Sequence, residues 1–210
     1  MKTAFIALVC LIGIPVFAAD MPKPPMPMSP ELNDEIIKKT PSYSEYTTAD
    51  GTPAQSWKDA AGAILFYKKE DPYFEFTNMY QATITLKEVE WPSVEHYFQA
   101  MKFHNTTLQE KIRKANTPGA ASRLGNENRH LIRDDWKQIS LAILAFAIHA
   151  KFSQHAQLAQ SLLETGTLPL VHDTHVHSSV FGAGPDYKGD NFVGRILMLV
   201  RTVLVQQSNG

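Results

Sequence analysis

The run Trp91-Pro92-Ser93-Val94-Glu95-His96-Tyr97-Phe98-Gln99-Ala100 constrains this chain more than any other stretch. It reads as the end of a strand, a sharp turn and the first turns of a helix. Pro92 favours an extended Trp91 before it, and Ser93 is a good N-cap, because its hydroxyl can accept from an unpaired N–H of the first turn. Glu95 then falls in that first turn, where the positive end of the helix dipole favours a carboxylate. Glu95, Gln99 and Lys102 follow at i, i+4 and i+7 and share one helix face. Tyr97, Phe98 and Met101 supply bulky apolar packing. A carboxylate–amide–ammonium stripe beside an aromatic stripe suits the wall of a cleft; the plain alternative is a solvated helix face.

The chain has 210 residues, with 44% hydrophobic and 20% charged residues, which is ordinary globular composition for one domain. The net charge of −1 gives no global sign of a nucleic-acid or anionic-membrane partner. At the start, Lys2, the apolar run Ala4 to Ile14, and Pro15 to Asp20 form the three-part pattern of a secretory signal peptide over residues 1–19, with cleavage after Ala18 or Ala19. The expected destination is secreted or periplasmic. Cys10 falls inside that segment, so the mature chain would hold no cysteine and no disulfide.

Residues 20–59 read as a Pro-rich linker, MPKPPMPMSP at 21–30, followed by a weakly patterned segment with a short helix near Glu31 to Lys39. The domain is expected over residues 60–206, with 207–210 as a tail. Ala63 to Tyr67 fits a buried strand. Tyr80 to Leu86 alternates and fits a half-buried strand, with Val89 to Trp91 pairing back on it. Helices are expected over Ser93 to Phe103, Thr107 to Lys114, Thr117 to Gly125, from Asp134 or Asp135 to Phe152, His155 to Leu163, and Asn191 to Val205. Leu141 to Ile148 is apolar nearly all round and marks a central helix. Thr167 to Asp190 reads as loop. The fold class is α+β, predominantly helical, as a single domain with a small β-sheet.

Two further polar groups could carry chemistry. Thr77-Asn78, between apolar residues, suits a polar corner that bonds a ligand, or a turn whose Asn bonds its own backbone. In His172-Asp173-Thr174-His175-Val176-His177-Ser178, an extended backbone would turn Asp173, His175 and His177 to one side, as a metal set or as incidental loop histidines. The glycines of Phe181-Gly182-Ala183-Gly184 would let backbone N–H groups approach a phosphate or sugar. The familiar nucleotide loops and the G-x-S-x-G elbow are absent from the sequence.

Taken in order, these pieces resemble the NADAR family, also called YbiA-like proteins. Phe66-Tyr67 is similar to its opening FY strand and Phe76-Thr77-Asn78 to its FSN corner. Trp91 to Phe103 nearly reproduces its WP-S-EHYFQA-KF motif. Thr117-Pro118 with Ala120, Ala121, Leu124 and Gly125 resembles its P…A…G helix. Ala150-Lys151-Phe152 with Gln154 resembles its AKF-Q stretch, and Asn191 to Gly194 its closing N-LG.

The resemblance implies a mostly helical N-glycosidase that splits the bond between a nitrogenous group and a ribosyl phosphate. The substrate would be a riboflavin-pathway ribosylamino intermediate or ADP-ribose on a nucleobase, with no metal and no cofactor. A ligand-binding module for ADP-ribose-like molecules is the alternative. The catalytic pair implied is Glu95, stabilising charge on the ribose, and Asp173, the second carboxylate. Substrate contacts would come from Tyr67, Asn78, Trp91, Gln99, Lys102, Ser178, Phe181, Gly182, Gly184 and Asn191. The loop departs from the family pattern: Asp173 stands where Glu is usual, Ser178 at an Asp position and Phe181 at a Trp. His175 or His177 is then a candidate replacement acid–base group.

Overall fold

A computed structural model describes residues 30–175 and 180–208. The expected signal segment, the Pro-rich run up to Ser29, His177 and Ser178 lie outside the described residues. Among the described residues the fold is α+β and helix-rich. It has seven α-helices: α1 (Pro30–Lys39), α2 (Val94–Ala100), α3 (Thr106–Arg113), α4 (Pro118–Glu127), α5 (Trp136–Gln154), α6 (Ala156–Glu164) and α7 (Phe192–Ser208). Its β-structure comprises β1 (Ile64–Phe66), β2 (Ile84–Leu86), β3 (Val89–Trp91) and β4 (Leu170–His172).

Helix starts follow capping chemistry. The side chains of Ser93, Asn105 and Thr117 accept from the N–H groups of His96, Leu108 and Ala120, and Pro118 sits at the first helical position. In the centre lies α5. From Ile139 to Phe152 nearly every residue is buried, so α1, α2, α6, α7 and β2 pack around it.

The β-structure forms two pairs. β2 and β3 make an antiparallel hairpin, Ile84 opposite Trp91, closed by Lys87 and Glu88 in left-handed backbone conformations (φ 50° and 63°). The alternation expected from Tyr80 onward holds in burial, with Ala82, Ile84 and Leu86 inside and Gln81, Thr83 and Thr85 outside. The ladder nevertheless spans only Ile84–Leu86. Side chains satisfy the outer edge of the strand. Gln154 bonds both the N–H and the carbonyl of Thr85 (2.8 and 2.9 Å), and His155 Nε2 lies 2.7 Å from the Thr83 carbonyl.

The other pair corrects the reading of Thr167 to Asp190 as loop. Leu170–His172 forms β4 and runs parallel to β1, with Ile64 beside Leu170 and Phe66 beside His172. Gly194 on α7 permits this packing: a Cβ there would stand 2.0 Å from the Leu170 carbonyl oxygen. Residues 30–59 pack on the same core. Ile36 and Trp57 are each 1% exposed. Trp57 donates from its indole to the Gly189 carbonyl (2.9 Å), and Arg195 donates to the carbonyls of Ile37 and Thr40 (both 2.9 Å).

Burial on α5 sets a pH dependence. It pushes the His149 imidazole down to about 4, so the native state holds it neutral while the unfolded chain takes up a proton below about 6.5. The stability this confers is complete above that value and is lost as pH falls toward 4. His149→Phe, of similar size, should remove roughly 3 kcal/mol from the stability lost between pH 6.5 and 4. Urea unfolding at both pH values measures this, and an unchanged difference would refute the neutral-imidazole assignment.

Candidate active site

The entry to α2 is locked before any chemistry is considered. Ser93 is extended (φ −161°, ψ 168°), and its Oγ lies 2.8 Å from His96 Nδ1. On the other side of the ring, Nε2 lies 3.0 Å from the Ala115 carbonyl, which can only accept. The hydrogen-bond network therefore assigns the proton to Nε2 and leaves Nδ1 to receive the Ser93 hydroxyl. Burial lowers the His96 pKa, in keeping with a neutral ring. His96, which the sequence pattern did not single out, holds the turn in place.

Glu95 is 8% exposed and Gln99 5%, so their stripe is not a solvated face. It is pressed between α2 and α4. Gln99 Nε2 donates to Glu95 Oε1 at 2.8 Å and lies 3.4 Å from Ser122 Oγ. The Glu95 N–H donates to the Asn78 carbonyl (3.1 Å), so the Thr77-Asn78 corner caps the helix from outside. Lys102, the third member, is half-buried. Burial lowers its pKa and the negative charge of Glu95 opposes that shift. Its ammonium lies 5.6 Å from the Phe98 ring centroid, and Phe98 meets Trp136 at 5.0 Å and Phe181 edge-on at 5.4 Å.

Phe181 brings in the second group. Asp173 extends β4, its N–H donating to the Phe66 carbonyl (3.1 Å). Its Oδ2 accepts from the Tyr187 hydroxyl (3.1 Å), and His175 Nδ1 lies 3.2 Å from Oδ1. Tyr67 stands beside His172 and His175, with ring centroids 5.6 and 6.5 Å away. Burial pushes the His172 ring down to about 4, and its Nδ1 lies 3.4 Å from the Phe181 carbonyl.

The NADAR domain family matches residues 65–205. The chain belongs to the NADAR family. It is 38% identical over 145 residues to a riboflavin biosynthesis protein of Vibrio vulnificus, an alignment covering 69% of this chain and 39% of that protein, so the chain spans well under half of it. It is 36% identical over 141 residues to N-glycosidase YbiA of Escherichia coli (67% of this chain, 88% of that protein), and equally identical to an N-glycosidase of Nostoc punctiforme (66% and 90%). Among solved structures, the NMR structure of E. coli YbiA matches with a TM-score of 0.64 at 34% identity, covering 70% of this chain and 87% of that one.

Within this NADAR fold the expected site residues fall into three sets. Glu95, Gln99 and the Asn78 carbonyl meet at the mouth of α2, and Lys102 follows its far end, within electrostatic reach of Glu95. Trp91 is beside them on β3, its ring 5.2 Å from Tyr97. Asp173, Tyr67 and Phe181 form a second set, joined to the first through Phe98. The third set is structural. Asn191, expected to touch substrate, is fully buried and spends its amide on β4, accepting from His172 N–H and donating to the Leu170 carbonyl (both 2.9 Å). The two loop glycines are likewise taken up by their own chain. A Cβ on Gly182 would lie 2.3 Å from the Thr174 side chain, and the Gly184 N–H points at Thr174 Oγ1 (3.4 Å). Tyr187, Ser122 and Trp136 are site neighbours that no sequence pattern marked, because each belongs to a different element from the side chain it supports.

Among the described residues, five buried polar side-chain atoms lack a hydrogen-bond partner within the protein: Asn78 Oδ1, Trp91 Nε1, Gln99 Oε1, Arg195 Nε and Asp173 Oδ1, the last having only the His175 ring near it, at 3.2 Å. Four of them belong to residues expected at the site. Native interiors normally satisfy such atoms with protein or ordered water, so these are the positions in the site where a water or a ligand group has a bond left to take. An open cavity of about 370 Å³, lined by His104, His130, Arg133, Asp134 and Asp135 among others, begins one step beyond Lys102, whose carbonyl accepts the Arg133 N–H (2.9 Å). Neither Glu95 nor Asp173 lines it. Among the described residues no group of three or more His, Cys, Asp or Glu is placed to hold a metal ion; the set suggested at 173–177 includes His177, outside those residues.

Gly125 on α4 tests the stripe. A Cβ there would stand 2.0 Å from Gln99 Oε1. Gly125→Ala should displace only the flexible end of Gln99 and so leave stability within about 1 kcal/mol, because alanine also favours the helix. The Gln99 side-chain amide signals should shift in a ¹H–¹⁵N spectrum as the bond to Glu95 breaks. Unmoved signals would show that this bond does not depend on the glycine.

Proposed function

We propose that this chain is an N-glycosidase-type hydrolase that cleaves the C–N bond between a ribose carbon and a nitrogenous group in a ribosyl-phosphate or ADP-ribosyl compound. The observation that carries the reading is the buried carboxylate of Glu95, bonded by Gln99 at a helix mouth whose backbone is fixed by the Asn78 carbonyl, in a family whose named members include N-glycosidases. Departure of the nitrogen leaves positive charge on the sugar, and a carboxylate held with little freedom to reorganise stabilises that charge most. Gln99 aims the carboxylate, and Lys102 gives an anionic substrate a counter-charge. Asp173, steadied by Tyr187 and His175, is the group that activates water or returns a proton to the leaving nitrogen. The aromatic wall of Phe98 and Phe181 offers a face to the base.

A second reading is a module that binds ADP-ribose-like ligands without turnover. It draws on Asp173, whose two oxygens already face the Tyr187 hydroxyl and the His175 ring. Incubation with ADP-ribosylated guanine oligonucleotide, NAD and ribosylamino pyrimidines, followed by mass spectrometry of released base, separates the two. Calorimetric binding without release selects the module. For the hydrolase, Glu95→Gln keeps the fold and lowers turnover by about 100-fold or more; full turnover in that variant would discard Glu95 as the charge stabiliser.

A further inference from the structure

Lys151 lies near the end of α5, facing the core, and is 1% exposed. Lysines are rarely buried so completely without a carboxylate partner. Here the ammonium is met by main chain instead. Its Nζ donates to the Thr77 carbonyl at 2.9 Å and to the Glu75 carbonyl, and it lies 5.3 Å from the ring centroids of both Tyr80 and Phe152. The Glu75 carboxylate accepts from Ser161 Oγ (3.1 Å) and acts on the ammonium only through space. Desolvation pushes the amine down to about 7, so either protonation state keeps at least two N–H donors for the two carbonyls. A methionine would fill the same apolar surroundings without that desolvation cost. What it could not do is hold two converging carbonyls.

Those carbonyls define a corner under local constraint. Phe74–Phe76 is a single 3₁₀ turn entered through Tyr73 in a left-handed conformation (φ 63°). The next residue along, Asn78, presents the carbonyl that receives the Glu95 N–H. A continuous path of hydrogen bonds and one peptide link thus runs from the rigid central helix to the first turn of α2.

We propose that Lys151 is a positioning residue for Glu95: by fixing the carbonyls of Glu75 and Thr77 it sets the Asn78 carbonyl, and with it the backbone from which the Glu95 carboxylate projects. The catalytic consequence rests on the reading of Glu95 as the charge stabiliser; the structural consequence does not.

The test separates them. In the full chain carrying Lys151→Met, amide exchange followed by NMR should show the Glu95 N–H losing protection by about 10-fold or more relative to the amides of Leu144 and Ile196 in α5 and α7. With an ADP-ribosylated guanine oligonucleotide as probe, kcat should fall by about 10-fold while KM moves by less than about 3-fold, and the same substitution should cost nothing further in a Glu95→Gln background. Equal loss of protection at all three amides, or none at Glu95, would overturn the proposal. Should Lys151→Met not fold, Lys151→Gln, with two N–H donors on a shorter stem, is read by the same criteria. A wild-type protein that hydrolyses no probe would count against the hydrolase, and the exchange result would still decide the role of Lys151.

Discussion

The rest of the structure depends on the near-complete burial of α5. A helix with no face to give to water can exist only if other elements enclose it, and α1, α2, α6, α7 and β2 do so. That enclosure explains why α2, only Val94–Ala100 in length, is ordered at all. So short a helix has little stability of its own. It persists because Val94, Tyr97, Phe98 and Ala100 are buried and because its entry is capped by Ser93, His96 and Asn78 together. The position of Glu95 is in this sense set by the central helix on which α2 packs.

The site balances opposing electrostatic terms. Burial makes a carboxylate costly unless it has donors and a counter-charge. Gln99 supplies a donor, and the charge of Lys102 acts back on it. The pair is incompletely buried, since Lys102 keeps partial solvent access. A fully enclosed pair would leave no approach for a substrate; a fully exposed one would be screened into insignificance. With Glu95 8% exposed and Lys102 half-buried, the two charges are neither fully enclosed nor fully screened.

Much of this was legible in the chain. Capping residues and apolar periodicity locate the helices from α2 to α7 to within a few positions, because both signals are local. The hairpin was legible for the same reason, through its alternation. β4 was not: Leu170–His172 has only three residues, and the partner that makes it a strand lies about a hundred positions earlier. Residues 30–59 carry little periodicity because they are held by single large anchors, Ile36 and Trp57, and by carbonyls bonded to Arg195, none of which repeats. At the site, the Glu95–Gln99 contact follows from helical spacing alone. The roles of Asn191, Gly182 and Gly184 do not. A motif shows which residue types recur but not whether an amide faces a ligand or a neighbouring strand, and here Asn191 faces the strand.

The departures in the loop read differently once its fastenings are known. An aspartate is one methylene shorter than a glutamate and so reaches less far from the same backbone. That backbone is fixed, because Asp173 continues β4 and bonds Phe66, while Thr174 is wedged against Gly182. The loss of reach cannot be recovered by moving the strand. Phe181 is equally constrained, its carbonyl beside the His172 ring and its own ring on Phe98. In the proposed hydrolase, a shorter acid here would reach the sugar through something mobile, a water molecule or the substrate itself. The Tyr187 hydroxyl bonds one oxygen of the carboxylate and the His175 ring stands by the other, which limits its orientation. For the proposed function, a shorter acid on a rigid mount would be better suited to act through water than by direct attack, and a water nucleophile would then be favoured over a covalent intermediate on Asp173.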